Sequence, residues 1–402
     1  MMATTARATR RTRRAVAASA ATAATLLLGA CGSGASGSGQ TGVEGTAAPP
    51  RPAVVDPVVA TYDGGLYVLD GRTLDLVEDI PLDGFNRLNA AGDDRHVLVS
   101  TSTGFRVLDA VGATWTGIEF PAAEPGHVVR HDGRTVLFAD GSGEVTSFDP
   151  AALGDGMPAT EVYRTAEPHH GVAVELANGE LVVTLGNEDS RPGILVLDEQ
   201  RREIARDENC PGVHGEATAQ GGAVVIGCET GVLVYAGGTI TKVDSPTEYG
   251  RIGNQASIDA SPITLGDYKQ DEDADLERPR QVSLIDTRDH SLRLVDLDTS
   301  YSFRSLGRGP RGEGLVLGTD GHLHVIDPDS ARVTRTIPVT DPWQEPLEWQ
   351  RPRPTLFVRG GTAYVSTPAR KEISAVDLAS GEPTATVSLP EAPNELNGVI
   401  AH

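Results

Sequence analysis

Basic residues are scarce in this chain: 34 Lys and Arg stand against 56 Asp and Glu, a formal net charge of −22 at pH 7. A domain of that sign repels phosphate backbones, which argues against nucleic-acid binding. The surplus suits the handling of cations, although an acidic surface more commonly serves solubility. Long apolar runs are lacking too. The uncharged stretch from Ala15 to Leu28 is too short and too Ala-rich for a membrane span. No His-Glu-x-x-His, phosphate loop or Ser-His-Asp order is readable, so the case for an enzyme is thin. Cysteine is nearly absent, with three in 402 residues. Glycine (46) and proline (26) are abundant, which favours many turns over long helices. With 39% hydrophobic and 22% charged residues the chain can bury a core.

The amino terminus reads as a targeting segment. Arg7, Arg10, Arg11, Arg13 and Arg14 precede the apolar run, which ends in Leu28-Gly29-Ala30-Cys31. Residues 1–30 are expected to be a lipoprotein signal peptide. The Leu-Gly-Ala-Cys ending resembles the bacterial lipobox, which implies cleavage before Cys31, lipidation of its thiol and anchoring on the outer face of the cytoplasmic membrane. The alternative is an ordinary secreted protein. Five of the 34 basic residues precede Cys31, so the remainder carries 29 against 56 acidic, near −27. Residues 31–53 are rich in Gly, Ser, Thr and Pro and read as a flexible tether.

Only Cys210 and Cys228 remain after Cys31. Outside the cytoplasm two such thiols oxidise together, so a disulfide is expected; its loop of about 18 residues is worth roughly 3 kcal/mol in the chain-entropy picture. A pair of metal thiolates is the competing reading.

One pattern recurs along the chain: alternating apolar residues ending in Asp. It appears as Leu66-Tyr67-Val68-Leu69-Asp70 and again ending at Asp109, Asp149, Asp198, Asp286, Asp327 and Asp377; in the fifth copy Ala236 replaces the Asp. From Asp70 to Asp377 is 307 residues over seven intervals, a mean near 44. Each copy follows an apolar strand and a Gly-containing turn and precedes a β-branched strand. Four short strands per 44 residues is the blade of a β-propeller. The terminal Asp ends its strand and caps the next turn, a structural task. The first unit lacks its innermost strand, and a spare one, Leu396-Asn397-Gly398-Val399-Ile400-Ala401, follows the last. That strand completes the first blade and removes both sheet edges. The expectation is one all-β domain, 54–402: eight blades of four antiparallel strands closed by a C-terminal strand. Seven blades is the alternative, because the sixth unit is interrupted by the acidic run Gln270 to Asp275.

Of ten histidines, His96, His131 and His290 lie in polar, turn-like contexts and read as surface residues. His322 and His324 read as an exposed strand face. Three others fall at one-blade spacing. Blade three begins Gly126-His127-Val128-Val129, blade four His170-Gly171-Val172-Ala173, and blade five His214-Gly215-Glu216-Ala217, at intervals of 43 and 44 residues. Innermost strands line the channel of a propeller, so His127, His170 and His214 should converge near one mouth. Three convergent imidazoles suit a borderline metal such as Zn²⁺. His169, Glu216 and Asp259 are candidates for a fourth ligand, although adjacent strand residues such as His169 and His170 usually point to opposite sides. Asn397 and Asn254 fall near the equivalent position in other blades. The bland alternative is a polar ring that only hydrates the channel.

The segments Glu167-Pro168-His169-His170-Gly171-Val172-Ala173-Val174 and Cys210-Pro211-Gly212-Val213-His214-Gly215-Glu216-Ala217, with Gly227-Cys228-Glu229-Thr230-Gly231-Val232, resemble the AztD family of extracytoplasmic zinc metallochaperones. The likeness runs from about Val55 to the end; the blade repeat alone is shared by many unrelated propellers. It implies a protein that binds Zn²⁺ outside the membrane and passes it to the solute-binding protein of a zinc ABC importer, without catalysis. Family members carry a His-rich amino-terminal tail, whereas residues 32–52 here contain no His. Two other classes stand beside this one: a lactonase-like hydrolase with a channel metal, and a metal-free protein-interaction propeller.

Overall fold

The computed structural model describes residues 52–400. The signal peptide, the lipidation site Cys31 and nearly all of the tether lie outside the described residues. Residues 54–399 form eight sheets arranged as blades, each built on four antiparallel strands; seven take theirs in sequential order, the first borrows its innermost strand from the C-terminal end, and the fifth carries an added two-residue strand, Gly250–Arg251, parallel to Thr230–Ala236. The eight-blade expectation holds, and the sixth blade is complete: Gln255–Ala256, Ile263–Tyr268, Gln281–Asp286 and Ser291–Asp296. Its acidic interruption is an exposed loop between the second and third strands.

The burial pattern explains the blade. Second and third strands are sandwiched between neighbouring blades, so they read as continuous apolar runs; Ala223–Cys228 and Gly193–Leu197 are buried at every position. The outermost strands have one wet face and alternate, as in Arg332–Pro338. The recurrent Asp residues cap turns as expected. Asp70 accepts from the backbone N–H of Arg72 and Thr73, Asp109 from Gly112, Asp149 from Ala151, and Asp198 from Arg202. Asp286 accepts from Arg288, Asp327 from Ser330, and Asp377 from Ser380.

The ring closes through the spare strand. Leu396–Gly398 pairs antiparallel with Val58–Tyr62, with Ala60 opposite Leu396 and Val58 opposite Gly398. Two further backbone bonds extend the seam, Thr61 N–H to Glu395 O at 3.0 Å and Asn394 N–H to Thr61 O at 2.7 Å. Leu396 and Val399 are buried by this closure.

Three histidines depart from the surface reading. His96 is buried with Nδ1 2.6 Å from Asp93, and His131 and His324 are buried as well. The polar residue that suggested a turn at His96, Asp93, is the partner of its ring, and the strand face of His324 is covered, with Nε2 3.1 Å from Asp320 Oδ2. Among the described residues no helix is long and apolar enough to cross a membrane.

Candidate metal centre

His127, His170 and His214 meet. One ring nitrogen of each lies within 4.8 Å of the other two, and the ring centroids form a triangle with sides of 5.1, 5.2 and 4.9 Å. Each ring reaches the cluster by a different local route. His127 sits on the innermost strand of blade three, Pro125–His131. There the register slips between Pro125 and Val128, so Gly126 and His127 together stand opposite Phe138. That bulge re-aims the His127 side chain. His170 lies three residues ahead of the strand Ala173–Glu175, and His214 two ahead of Glu216–Ala219. These two are loop residues at the strand entry rather than strand residues.

Each Nδ1 has a partner of its own. His127 Nδ1 is 3.3 Å from Glu216 Oε2. His170 Nδ1 is 2.5 Å from Asp140 Oδ2. His214 Nδ1 is 2.7 Å from the carbonyl oxygen of Gly253. Glycines make the last two contacts sterically open. A Cβ on Gly126 would lie 2.1 Å from Asp140 Oδ1, and a Cβ on Gly215, whose φ is +74°, would lie 2.2 Å from Gly253 O.

These partners set the tautomers. A carbonyl only accepts, so His214 Nδ1 carries a proton and donates it; the Asp140 carboxylate demands the same of His170. In the neutral rings both Nε2 atoms then hold lone pairs. They face each other at 2.9 Å. Two lone pairs at that distance repel unless a positive centre, a proton or a metal ion, sits between them. A tetrahedral Zn²⁺ with bonds of about 2.0–2.1 Å needs nitrogens about 3.4 Å apart, a widening of a few tenths of an ångström.

The electrostatics favour a neutral His214. Burial pushes its pKa well below the usual 6.5, His127, His170 and Arg251 push the same way, and the Gly253 hydrogen bond opposes them only in part. Arg251 and Arg191, whose Nη1 donates to His170 O at 3.4 Å, place positive charge nearby; the Asp140 and Glu216 carboxylates offset it. The His170 side chain is 42% exposed, against 19% for His127, so the cluster has one accessible side.

The other expected ligands fall elsewhere. His169 is buried and faces the opposite way, with Nδ1 3.0 Å from Glu167 O and Nε2 3.0 Å from Thr184 Oγ1. Burial also lowers its pKa. His170 sits at a bend outside any strand, and its ring turns to Asp140 while that of His169 is held by Glu167 O and Thr184. Glu216 stands behind His127 as an Nδ1 partner. Asp259 lies exposed on the turn after the two-residue strand Gln255–Ala256, outside the cluster and within electrostatic reach of Arg130. Asn397 and Asn254 are engaged with Leu88 O and Asp267. Sequence reasoning missed Asp140 and the Gly253 carbonyl. Asp140 follows the second strand of blade three in Ala139-Asp140-Gly141, a turn signal that carried no hint of a cross-blade contact. A backbone carbonyl leaves no trace in residue type.

Cys210 and Cys228 form a disulfide with Cα atoms 4.9 Å apart, both fully buried between blades four and five.

No family model matches the chain. A curated protein, the zinc chaperone AztD of Citrobacter koseri, is 28% identical over 287 residues, covering 69% of this chain and 66% of that relative, so the match spans just under two thirds of its length. The structure of apo AztD from Citrobacter koseri superimposes with a TM-score of 0.73 at 23% identity, over 85% of this chain and 96% of that one. A further crystal structure of that AztD gives 0.73 at 22% identity with the same coverage. The dihydro-heme d1 dehydrogenase NirN shares the fold at a TM-score of 0.60 and 13% identity, over 89% of this chain and 78% of that one. The curated relative bears out the resemblance to the AztD family read from the sequence, and the solved structures bear out the propeller.

Proposed function

We propose that this chain is an extracytoplasmic zinc carrier that binds Zn²⁺ at His127, His170 and His214 and delivers it to the solute-binding protein of a zinc ABC importer. One observation carries the reading: two imidazole lone pairs are held face to face at 2.9 Å, with a third imidazole beside them, an arrangement that a cation relieves. The similarity to a zinc chaperone supports zinc as that cation. The accessible side at His170 suits transfer, because an incoming ligand from the acceptor can bind the ion before the three imidazoles let go. The Cys31 lipid anchor would keep the carrier at the outer face of the membrane beside the importer, a task that the His-free tether does not itself perform.

The same three nitrogens with a fourth position open would also serve a lactonase-like hydrolase, which needs a general base against a metal-bound water. In this cluster both carboxylates, Asp140 and Glu216, are occupied with His Nδ1 atoms, which favours the carrier. The test is metal analysis of protein purified without added metal, followed by incubation with the apo solute-binding protein. The expected result is about one zinc per chain, transferred on incubation, with no lactone hydrolysis. Turnover of lactones by the zinc form, or absence of bound metal together with no uptake of added zinc, overturns the proposal.

A further inference from the structure

We infer that the Cys210–Cys228 disulfide is a positioning element of the zinc site, fixing His214 and the acceptor of its Nδ1 proton together, rather than only a brace for the fold. This rests on the carrier reading above. The need for it comes from the backbone. His127 is held within a strand, and His170 is held by the Asp140 carboxylate across a blade boundary. His214 lies outside any strand, and its ring is held by a backbone carbonyl, Gly253 O, rather than by a carboxylate. It ends the non-strand run Cys210-Pro211-Gly212-Val213 and precedes Gly215, and both glycines have positive φ, +61° and +74°. Glycine-flanked backbone of this kind has many accessible conformations, and a ring that must sit within tenths of an ångström of its neighbours needs them removed.

The disulfide removes them from two directions. On one side Cys210 anchors the run that leads to His214. Its N–H donates to Pro192 O at 2.9 Å, Val213 N–H donates to Arg191 O at 3.1 Å, and His214 N–H donates to Gly227 O at 3.0 Å. On the other side Cys228 ends the strand Ala223–Cys228. Its carbonyl accepts from Ile252 N–H at 3.0 Å, which seats the next residue, Gly253, whose carbonyl holds His214 Nδ1 at 2.7 Å. The Gly253 N–H is held in turn by Asp267 Oδ1 at 2.6 Å. The ring and its acceptor therefore trace back to the two sulfurs of one covalent bond. Both cysteines are fully buried, so the link is a fixed part of the site.

The test is zinc affinity, measured on the chain without its signal peptide by competition against a chromophoric chelator, with Zn²⁺ alone as the probe. Wild type is compared with the C210A/C228A double variant and with Gly215→Ala. The second variant keeps the disulfide but places a Cβ 2.2 Å from Gly253 O, pushing the acceptor off His214. Outer partners of metal-bound histidines are worth about 10–100-fold in affinity. A loss of that order is expected in both variants, with far-UV circular dichroism unchanged and with the combined loss smaller than the product of the two, since both act on one contact. If C210A/C228A folds, melts at a lower temperature and binds zinc as wild type does, the disulfide is structural only and the inference falls. If that variant does not fold, Gly215→Ala decides: wild-type affinity there overturns the inference. A wild-type chain that takes up no zinc overturns instead the carrier reading itself.

Discussion

Replacing Asp140 with Asn removes a charge from the metal site while keeping a hydrogen-bond acceptor near His170 Nδ1. The contact is 2.5 Å long, and the Asp140 side chain is only 16% exposed. An ion on His170 Nε2 would lie about 6.5 Å from that carboxylate, across the ring. For a divalent ion at this separation Coulomb's law gives about 1.3 kcal/mol in a water-like medium and about 5 kcal/mol at an effective dielectric of 20. The usual effect of outer partners, about 10–100-fold, corresponds to about 1.4–2.7 kcal/mol. It falls toward the water-like end, as it should for a ring as exposed as His170. Asp140→Asn should therefore weaken zinc binding about 10–100-fold, and His170→Ala should weaken it further because a ligand atom is lost. The assay is a chelator competition at pH 8, above the usual imidazole range, where protons no longer compete for the nitrogens. Wild-type affinity in Asp140→Asn alongside a large loss in His170→Ala would show that the carboxylate does not act on the ion and would refute the electrostatic reasoning.

Deleting residues from Pro393 onward should open both edges of the first blade and lower Tm sharply in a thermal melt; the milder Leu396→Ala should cost about 2–5 kcal/mol, as for other buried Leu truncations, and wild-type stability in either would argue against closure at this seam. Thiol labelling in denaturant without reductant should find neither Cys210 nor Cys228 free, since the two are bonded. Acid should destabilise the metal-free chain: His214 and His169 have folded pKa values below their ordinary 6.5. The unfolded chain therefore takes up protons first, and stability is full above about pH 6.5 and declines as pH falls toward the folded values. A Tm that stays flat from pH 7 to 5 would count against this. Bound zinc should leave over the same acid range as the ligands protonate, read by metal analysis after dialysis at each pH.

The blade count was legible from the chain because it rests on local chemistry. An apolar alternation ending in a turn-capping Asp specifies its own strand and its own turn, and repetition at 44 residues forces the blades to stack on one another to bury their faces. The spare strand at Leu396 was legible for the same reason: an unpaired strand at one end and a missing one at the other leave a single way to satisfy both edges. The one-blade spacing of His127, His170 and His214 pointed to three rings that meet, although the positions are not equivalent: His127 lies within its innermost strand, and the other two precede theirs.

What surrounds those rings came only with the tertiary structure. Asp140 reaches His170 across a blade boundary, 30 residues away, and Gly253 reaches His214 over 39. Glu216 stands beside His127 Nδ1, and Asp259 lies on the turn after the two-residue innermost strand of blade six. Burial of His96, His131 and His324 is likewise a tertiary fact: polar sequence neighbours do not distinguish solvent from a packed partner at the first two, and strand alternation does not say which face a neighbouring segment covers at the third. Periodicity carries information about which residues occupy equivalent places within a repeat, since one unit's backbone is copied into the next. It carries none about contacts between units: those depend on a glycine's missing side chain, a bulge of one residue or the direction of a carbonyl, which are fixed only when neighbouring blades are packed together.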